Sequence, residues 1–199
     1  MTTTTTAALG TRDRLISTAS RLMQHGGYES TPIKQLVKEA GATMGSLYHF
    51  FPGGKQELAV AAIAYGDEEF AELLRTGLAL HADPAEAVGA LTELLAEALE
   101  ESMWRDGCPV TATALESVGR MPEVQAACAA AYANWERLVE EKLLACGLSE
   151  EDSRDLAMTV LNTLGGAETA AQVGQSRTPL LVAGRHLSRL IASYVPASD

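Results

Sequence analysis

Ser30-Thr-Pro-Ile-Lys-Gln-Leu-Val-Lys-Glu-Ala-Gly-Ala-Thr-Met-Gly-Ser-Leu-Tyr-His-Phe-Phe51 is the stretch on which the reading of this chain turns. Ile33, Leu36, Val37 and Ala40 recur at i, i+3, i+4 and i+7, which makes one apolar helical stripe, while Lys34, Lys38 and Glu39 face away. Thr31 is placed to cap the start, and Pro32 to stand at the first helical position, where a missing N–H does no harm. Gly41 stops the helix, since the residue just past a helix end is often left-handed and glycine bears no Cβ penalty there. Thr43 can cap a second short helix whose Ala42, Leu47 and Phe51 point back to the first. Thr43, Met44, Gly45, Ser46, Tyr48 and His49 are then left on or beside the outer face. Two helices joined by a turn of about three residues form a helix-turn-helix. An ordinary surface helix would be filled with Glu, Lys and Arg; Thr-Met-Gly-Ser with Tyr-His instead suits close approach to a sugar-phosphate wall. Spacing alone leaves open a plain helical hairpin with no DNA partner.

Working outward, residues 11 to about 25 carry Leu15, Ala19, Leu22 and Met23 on one stripe, with Thr11 as N-cap and Gly26-Gly27 as the stop. This helix closes a three-helix head, residues 11–54, with Tyr28 read as a core residue beneath it. The threonine run in residues 1–10 has no basic segment followed by an apolar one, so it reads as a disordered arm, not a signal peptide. Charge separates head from body. Residues 1–65 hold six basic side chains (Arg12, Arg14, Arg21, Lys34, Lys38, Lys55) against four acidic ones (Asp13, Glu29, Glu39, Glu57), a net of +2. The overall charge is −11, so the remainder carries −13. In so acidic a protein a basic lean confined to one end points to nucleic acid at that end. The excess is small, and one head alone would bind weakly and in a salt-sensitive way; two heads on a pseudo-palindrome remedy that.

Pro52-Gly53-Gly54 breaks the chain before a long helix from Lys55 to about Leu80. Its free N-terminal amides and the Lys55 charge make a phosphate contact. The body, residues 55–199, continues as helices punctuated by Pro and Gly: from Asp83-Pro84 to Trp104, Val110 to Val118, Pro122 to Cys146, Ser149 to Gln175 and Thr178 to about Tyr194. No stretch alternates with period two, so the expected class is all-α: nine helices, three in the head and six in the body. No window offers the roughly 20 apolar residues that span a bilayer, and a cytoplasmic location is expected.

Aromatic residues are scarce, at 5 % of the chain, yet Trp104, Tyr132 and Trp135 fall in the central body helices with Met103, Met121, Met158, Cys108 and Cys128. Polarizable aromatic and thioether groups can wrap a flat apolar molecule. These residues, with Asn162 as a polar anchor beside Glu116 and Asn134, are the expected effector site; plain core packing is the competing reading. In the last two helices Leu156, Val160, Leu164 and Ala167, then Leu187, Leu190 and Ile191, form stripes for a two-fold helical bundle, and intramolecular core again competes.

Enzyme readings find little support: there is no nucleotide-binding glycine loop after a strand and no G-x-S-x-G. The four histidines and three cysteines lie too far apart for a visible metal motif, so no metal or cofactor is expected.

Gly41-Ala-Thr-Met-Gly-Ser-Leu-Tyr-His-Phe-Phe-Pro52, followed by Lys55 and Glu57-Leu58, resembles the recognition-helix signature of the TetR family of bacterial repressors. Gly107-Cys108-Pro109-Val110 resembles the subgroup of lincomycin- and flavonoid-responsive regulators. The signature covers about a quarter of the chain. Two features depart from the common pattern: Met44, where the family often has a polar or basic residue, and the Gly53-Gly54 loop, one residue longer than usual. The resemblance implies a homodimer on double-stranded operator DNA, released by a small apolar or aromatic effector. It also implies DNA contacts from Thr31, Thr43, Met44, Gly45, Ser46, Tyr48, His49 and Lys55, of which Thr43 and Ser46 reach base edges and Tyr48, His49 and Lys55 reach phosphates. The alternative is an all-α small-molecule binding or interaction protein without operator binding, and a third reading makes Cys108 a redox sensor.

Overall fold

A computed structural model describes residues 9–195. Among the described residues there are nine helices and no strand: α1 (Thr11–Gly26), α2 (Ile33–Glu39), α3 (Met44–Phe50), α4 (Lys55–Ala79), α5 (Pro84–Glu101), α6 (Thr111–Ser117), α7 (Pro122–Ala145), α8 (Glu150–Gly174) and α9 (Thr178–Ala192). No helix among them is long and apolar enough to cross a membrane. Most of the arm expected over residues 1–10 lies outside the described residues; Gly10 is the N-cap of α1.

The ends of the helices follow from local chemistry. Asp83 accepts from the Glu86 N–H at 2.9 Å and Ser149 from the Asp152 N–H at 3.1 Å, each satisfying an orphan donor of the first turn. Gln175 closes α8 in the left-handed region (φ 45). Two expected caps are shifted by one residue. Thr11 is already helical, behind Gly10, and Pro32, not Thr31, is the N-cap of α2, because the Thr31 hydroxyl is drawn inward to the Gly27 carbonyl at 2.8 Å.

The chain forms two compact units. One comprises Met1–Glu68 and Pro109–Ala131, so the segment holding α6 packs with the head and not with the rest of the body. Its core is Leu15, Ala19, Met23, Leu36, Leu47, Phe51 and Leu58, all at most 2 % exposed, with Tyr28 at 9 % as its expected place in the core requires. The other comprises Glu69–Cys108 and Tyr132–Asp199. There α5 lies closest to α9, because Gly184 removes the side chain that would separate them: a Cβ at that position would meet Thr92 Oγ1 at 2.0 Å. Leu91, Leu99, Trp135, Leu143, Leu180 and Ile191 fill the core of this unit at 1 % exposure or less.

The stripes expected to face a second subunit face inward. Leu156, Val160, Leu164, Leu187 and Ile191 are 0–4 % exposed within their own unit, and only Ala167 and Leu190 are half-exposed. Their hydrophobic periodicity records the intramolecular core.

Candidate nucleic-acid interface

The α2–α3 pair is fixed at both ends of its turn. Gly41 takes φ +58, and its N–H and that of Ala42 donate to Lys38 and Val37 carbonyls at 3.2 and 2.9 Å, a Schellman closure of α2. Thr43 and Ser46 then form a reciprocal capping box: the Ser46 N–H donates to Thr43 Oγ1 at 3.1 Å and the Thr43 N–H to Ser46 Oγ at 2.9 Å. Arg14 reaches across from α1 and donates to the carbonyls of Ala40 (3.0 Å) and Gly41 (3.3 Å), so one of the basic residues of the head is committed to holding the turn. Arg21 pairs with Glu39 at 2.6 Å, and hydrogen bonds from Gln35 and Arg21 hold the Glu39 carboxyl below its usual value.

With Leu47 fully buried as the anchor of α3, the opposite face points outward. Thr43, Gly45 and His49 are exposed, Met44 is 40 % and Tyr48 49 % exposed, and Ser46 is half-buried. This is the outer face expected from the sequence. Two residues of that expectation lie elsewhere. Thr31 is 1 % exposed and hydrogen-bonded to Gly27, so it offers nothing to a partner. Lys55 turns inward: its Nζ donates to the Tyr28 carbonyl at 2.5 Å and sits 4.0 Å from the centre of the Tyr28 ring. Burial lowers the Lys55 pKa, against the pull of Glu29 and Glu116. The extended glycine loop is occupied too, with the Gly53 N–H donating to Glu57 Oε2 at 2.7 Å. Lys34 and Lys38, by contrast, are exposed on α2. The sequence signalled them only as residues facing away from the stripe.

Behind the head, α6 reaches the α1–α2 turn. The Glu29 N–H donates to Glu116 Oε2 at 3.0 Å, Arg120 pairs with Glu29 at 2.9 Å, and Gly27 (φ +78) leaves room for the carboxylate, which a Cβ would meet at 2.8 Å. Glu116 is therefore an anchor of the head, and its assignment as a polar group of the effector site is corrected.

The residues expected to line an effector site divide. Met121 (5 % exposed) and Cys128 (3 %) are buried in the unit that holds the head. In the other unit Cys108 Sγ lies 4.0 Å from Tyr132 Oη, the Tyr132 ring is edge-on to Trp135 at 5.2 Å, and Trp135 meets Phe70 at 4.6 Å. Trp104 is half-buried, whereas Met103 (72 % exposed), Met158 (48 %) and Asn162 face solvent. Those three fall on the outer sides of their elements, which composition could not reveal. Asn134 accepts from Arg137 at 2.9 Å. An open groove of about 460 Å³ between α5 and α9, lined by Thr92, Glu93, Arg185 and Arg189 among others, includes none of the expected residues.

The reading from sequence passed over Glu168. It follows Leu164 by four residues and precedes Ala171 by three, so the same spacing that places those two inside places it inside as well. It is 9 % exposed, and its pKa is raised to about 7 by burial, opposed by a hydrogen bond from the Cys108 backbone.

Comparison with known proteins agrees with this architecture at both ends of the chain. Residues 15–62 match the model for bacterial regulatory proteins of the tetR family, and residues 84–186 match that for the C-terminal domain of LmrA/YxaF-like transcriptional regulators. The chain is 33 % identical over 180 residues to the HTH-type transcriptional regulator LmrA of Bacillus subtilis (strain 168), covering 90 % of this chain and 94 % of that protein. To the HTH-type regulator YxaF of the same organism it is 32 % identical with the same coverage. A TetR transcriptional regulator from Chloroflexus aurantiacus J-10-FL superposes with a TM-score of 0.79 at 28 % identity, over 94 % of this chain and 97 % of that one. The relatives and the family are transcriptional regulators and not enzymes. The capped helix pair, the two matched models and the relatives over nearly their whole length together identify this chain as a DNA-binding transcriptional regulator of the TetR family with an LmrA/YxaF-like C-terminal domain.

Proposed function

We propose that this protein is a homodimeric repressor that occupies a pseudo-palindromic operator in the cytoplasm and leaves it when a small aromatic effector binds the body. In this reading residues 11–54 read DNA and residues 55–199 take the effector and pair the subunits. The observation that carries it is the outer face of α3: Thr43, Met44, Gly45, Tyr48 and His49 stay exposed on a helix whose other side is locked into the head by Leu47. Because the Ser46 and Thr43 hydroxyls are engaged in the capping box, they approach base edges with one lone pair or proton each to spare. Tyr48 and His49 reach phosphates, and Lys34 and Lys38 take the role expected of Lys55.

The subunits pair through the opposite face of α8 from the one expected. Met158, Asn162, Gly165, Gly166, Thr169 and Val173 lie on one exposed stripe, and a Cβ added at Gly165 or Gly166 meets nothing within 4 Å. That bare backbone lets the same helix of a second copy approach closely. Two heads on one dimer fit half-sites one helical turn apart, and an effector acts as an inducer by binding better to a head spacing that misses successive major grooves.

The test is a footprint and gel-shift assay on the DNA upstream of the protein's own and neighbouring genes. Protection of a pseudo-palindrome that Tyr48→Ala weakens about tenfold or more, as loss of a good contact would, supports the reading. Unchanged protection by the variant sinks the docking model.

A further inference from the structure

Glu168 is a buried carboxylate for which the repressor reading finds no use. It is 9 % exposed on the inward stripe of α8. Its one hydrogen-bond partner is the backbone N–H of Cys108, and no Lys or Arg is among the groups that act on it. A structural role does not call for the charge, since an uncharged glutamine would accept the same N–H. Carboxylates held in this way are costly, and their retention points to a ligand that completes the pair.

The surroundings indicate the rest of that ligand. Beyond Cys108 stand Tyr132, Trp135 and Phe70 in successive ring contact, in a chain with only 5 % aromatic residues. The segment carrying Cys108 is fastened to α8 by Gln172 Nε2, which donates to the Arg105 carbonyl at 3.2 Å, and Gly107 gives Gln172 the room it needs. Just before it Met103 and Trp104 both hold positive φ (55 and 63), a backbone state that non-glycine residues adopt at a cost and that recurs at ligand clamps. Tyr132 is 36 % exposed and Cys108 and Trp104 are half-exposed, so the aromatic side opens toward solvent while the carboxylate lies deep. A neutral molecule seated there would seal the charge away uncompensated, and an anion would be repelled. A cation gains both the carboxylate and the faces of the rings.

We propose that Glu168, with Tyr132, Trp135 and Phe70, forms a receptor for a monovalent organic cation bearing an aromatic or apolar body, a protonated amine or a quaternary centre. The proposal rests on the reading of the body as an effector domain and adds the charge of the effector.

Tetraphenylphosphonium is a suitable probe, with triphenylphosphine oxide as its neutral counterpart, added to the full chain without DNA. Binding is followed by quenching of Trp104 and Trp135 and by calorimetry. The wild type binds the cation saturably, Glu168→Gln weakens it about tenfold or more, and the neutral probe binds both proteins alike. At pH 6 the wild type releases close to one proton per cation bound, read from calorimetry in two buffers of different ionisation enthalpy. A merely structural carboxylate would not do so. Absence of saturable binding by the wild type, equal cation affinity in Glu168→Gln, or binding without proton release overturns the proposal. Should Glu168→Gln fail to fold by circular dichroism, Glu168→Asp and the wild-type proton release decide. A cation that binds with proton release but leaves an operator complex intact upholds this site while counting against the inducer reading.

Discussion

Thr43 and Ser46 carry two duties that pull on the same atoms. Each hydroxyl closes a backbone N–H of the first turn of α3, and each faces the side where DNA would lie. Thr43→Ala removes half of the box and is expected to lower stability by about 1 kcal/mol, measured by urea unfolding of the free protein, in addition to weakening operator binding. The two lysine positions separate cleanly. Lys34 is exposed on α2, so Lys34→Ala should reduce the slope of log K against log salt by about 0.9, the value for one phosphate contact. Lys55 is bound to Tyr28, so Lys55→Ala should leave that slope unchanged and lower the melting temperature instead. The role of Lys55 was misread from sequence for a physical reason. A lysine at a helix N-terminus has one address in the chain but a long flexible stem, and which partner it finds depends on how closely Tyr28 packs beneath it.

At the scale of elements, helix existence and helix ends were largely legible. The starts of α5, α8 and α9 fall at Asp83-Pro84, Ser149 and Thr178-Pro179, and the left-handed stop of α2 falls at Gly41, because capping and glycine chemistry act within a few residues. Which neighbour an apolar stripe meets is a different matter. Leu156, Val160 and Leu164 carry the same pattern whether they face α5 and α9 or a second subunit, and they are buried in their own unit. The stripe left bare holds Gly165 and Gly166. If the second copy docks there, Gly166→Glu, which has open space to accept the side chain within the monomer, should yield a helical monomer in sedimentation equilibrium. A dimer of unchanged stability would remove α8 from the interface.

For the molecule as a whole, the pH dependence of folding should bear the mark of Glu168. Its folded pKa, about 7, lies above the ordinary value of 4.5, so between those limits the native state holds more protons than the unfolded chain. Stability therefore falls as pH rises from about 4.5 to about 7 and is level above. The single-group ceiling on the fall is about 3 kcal/mol. In Glu168→Gln that component is absent, and the variant should be the more stable protein at pH 8 by urea unfolding, the direction expected when a charge is buried for binding and not for folding.

Sequence alone determined the all-α class, the nine helices with their caps, the helix-turn-helix pair and the outward set on α3, since each rests on chemistry local to a few residues. Tertiary structure alone decided that Thr31 and Lys55 turn inward, that Glu116 anchors the head, and that Met103, Met158 and Asn162 face solvent. It also decided that a carboxylate on α8 meets the backbone of Cys108, in a cluster with the aromatic residues of α4 and α7. Periodicity records that a side chain is inside or outside a helix stripe. Only the packing of elements distant in the chain decides what it meets there.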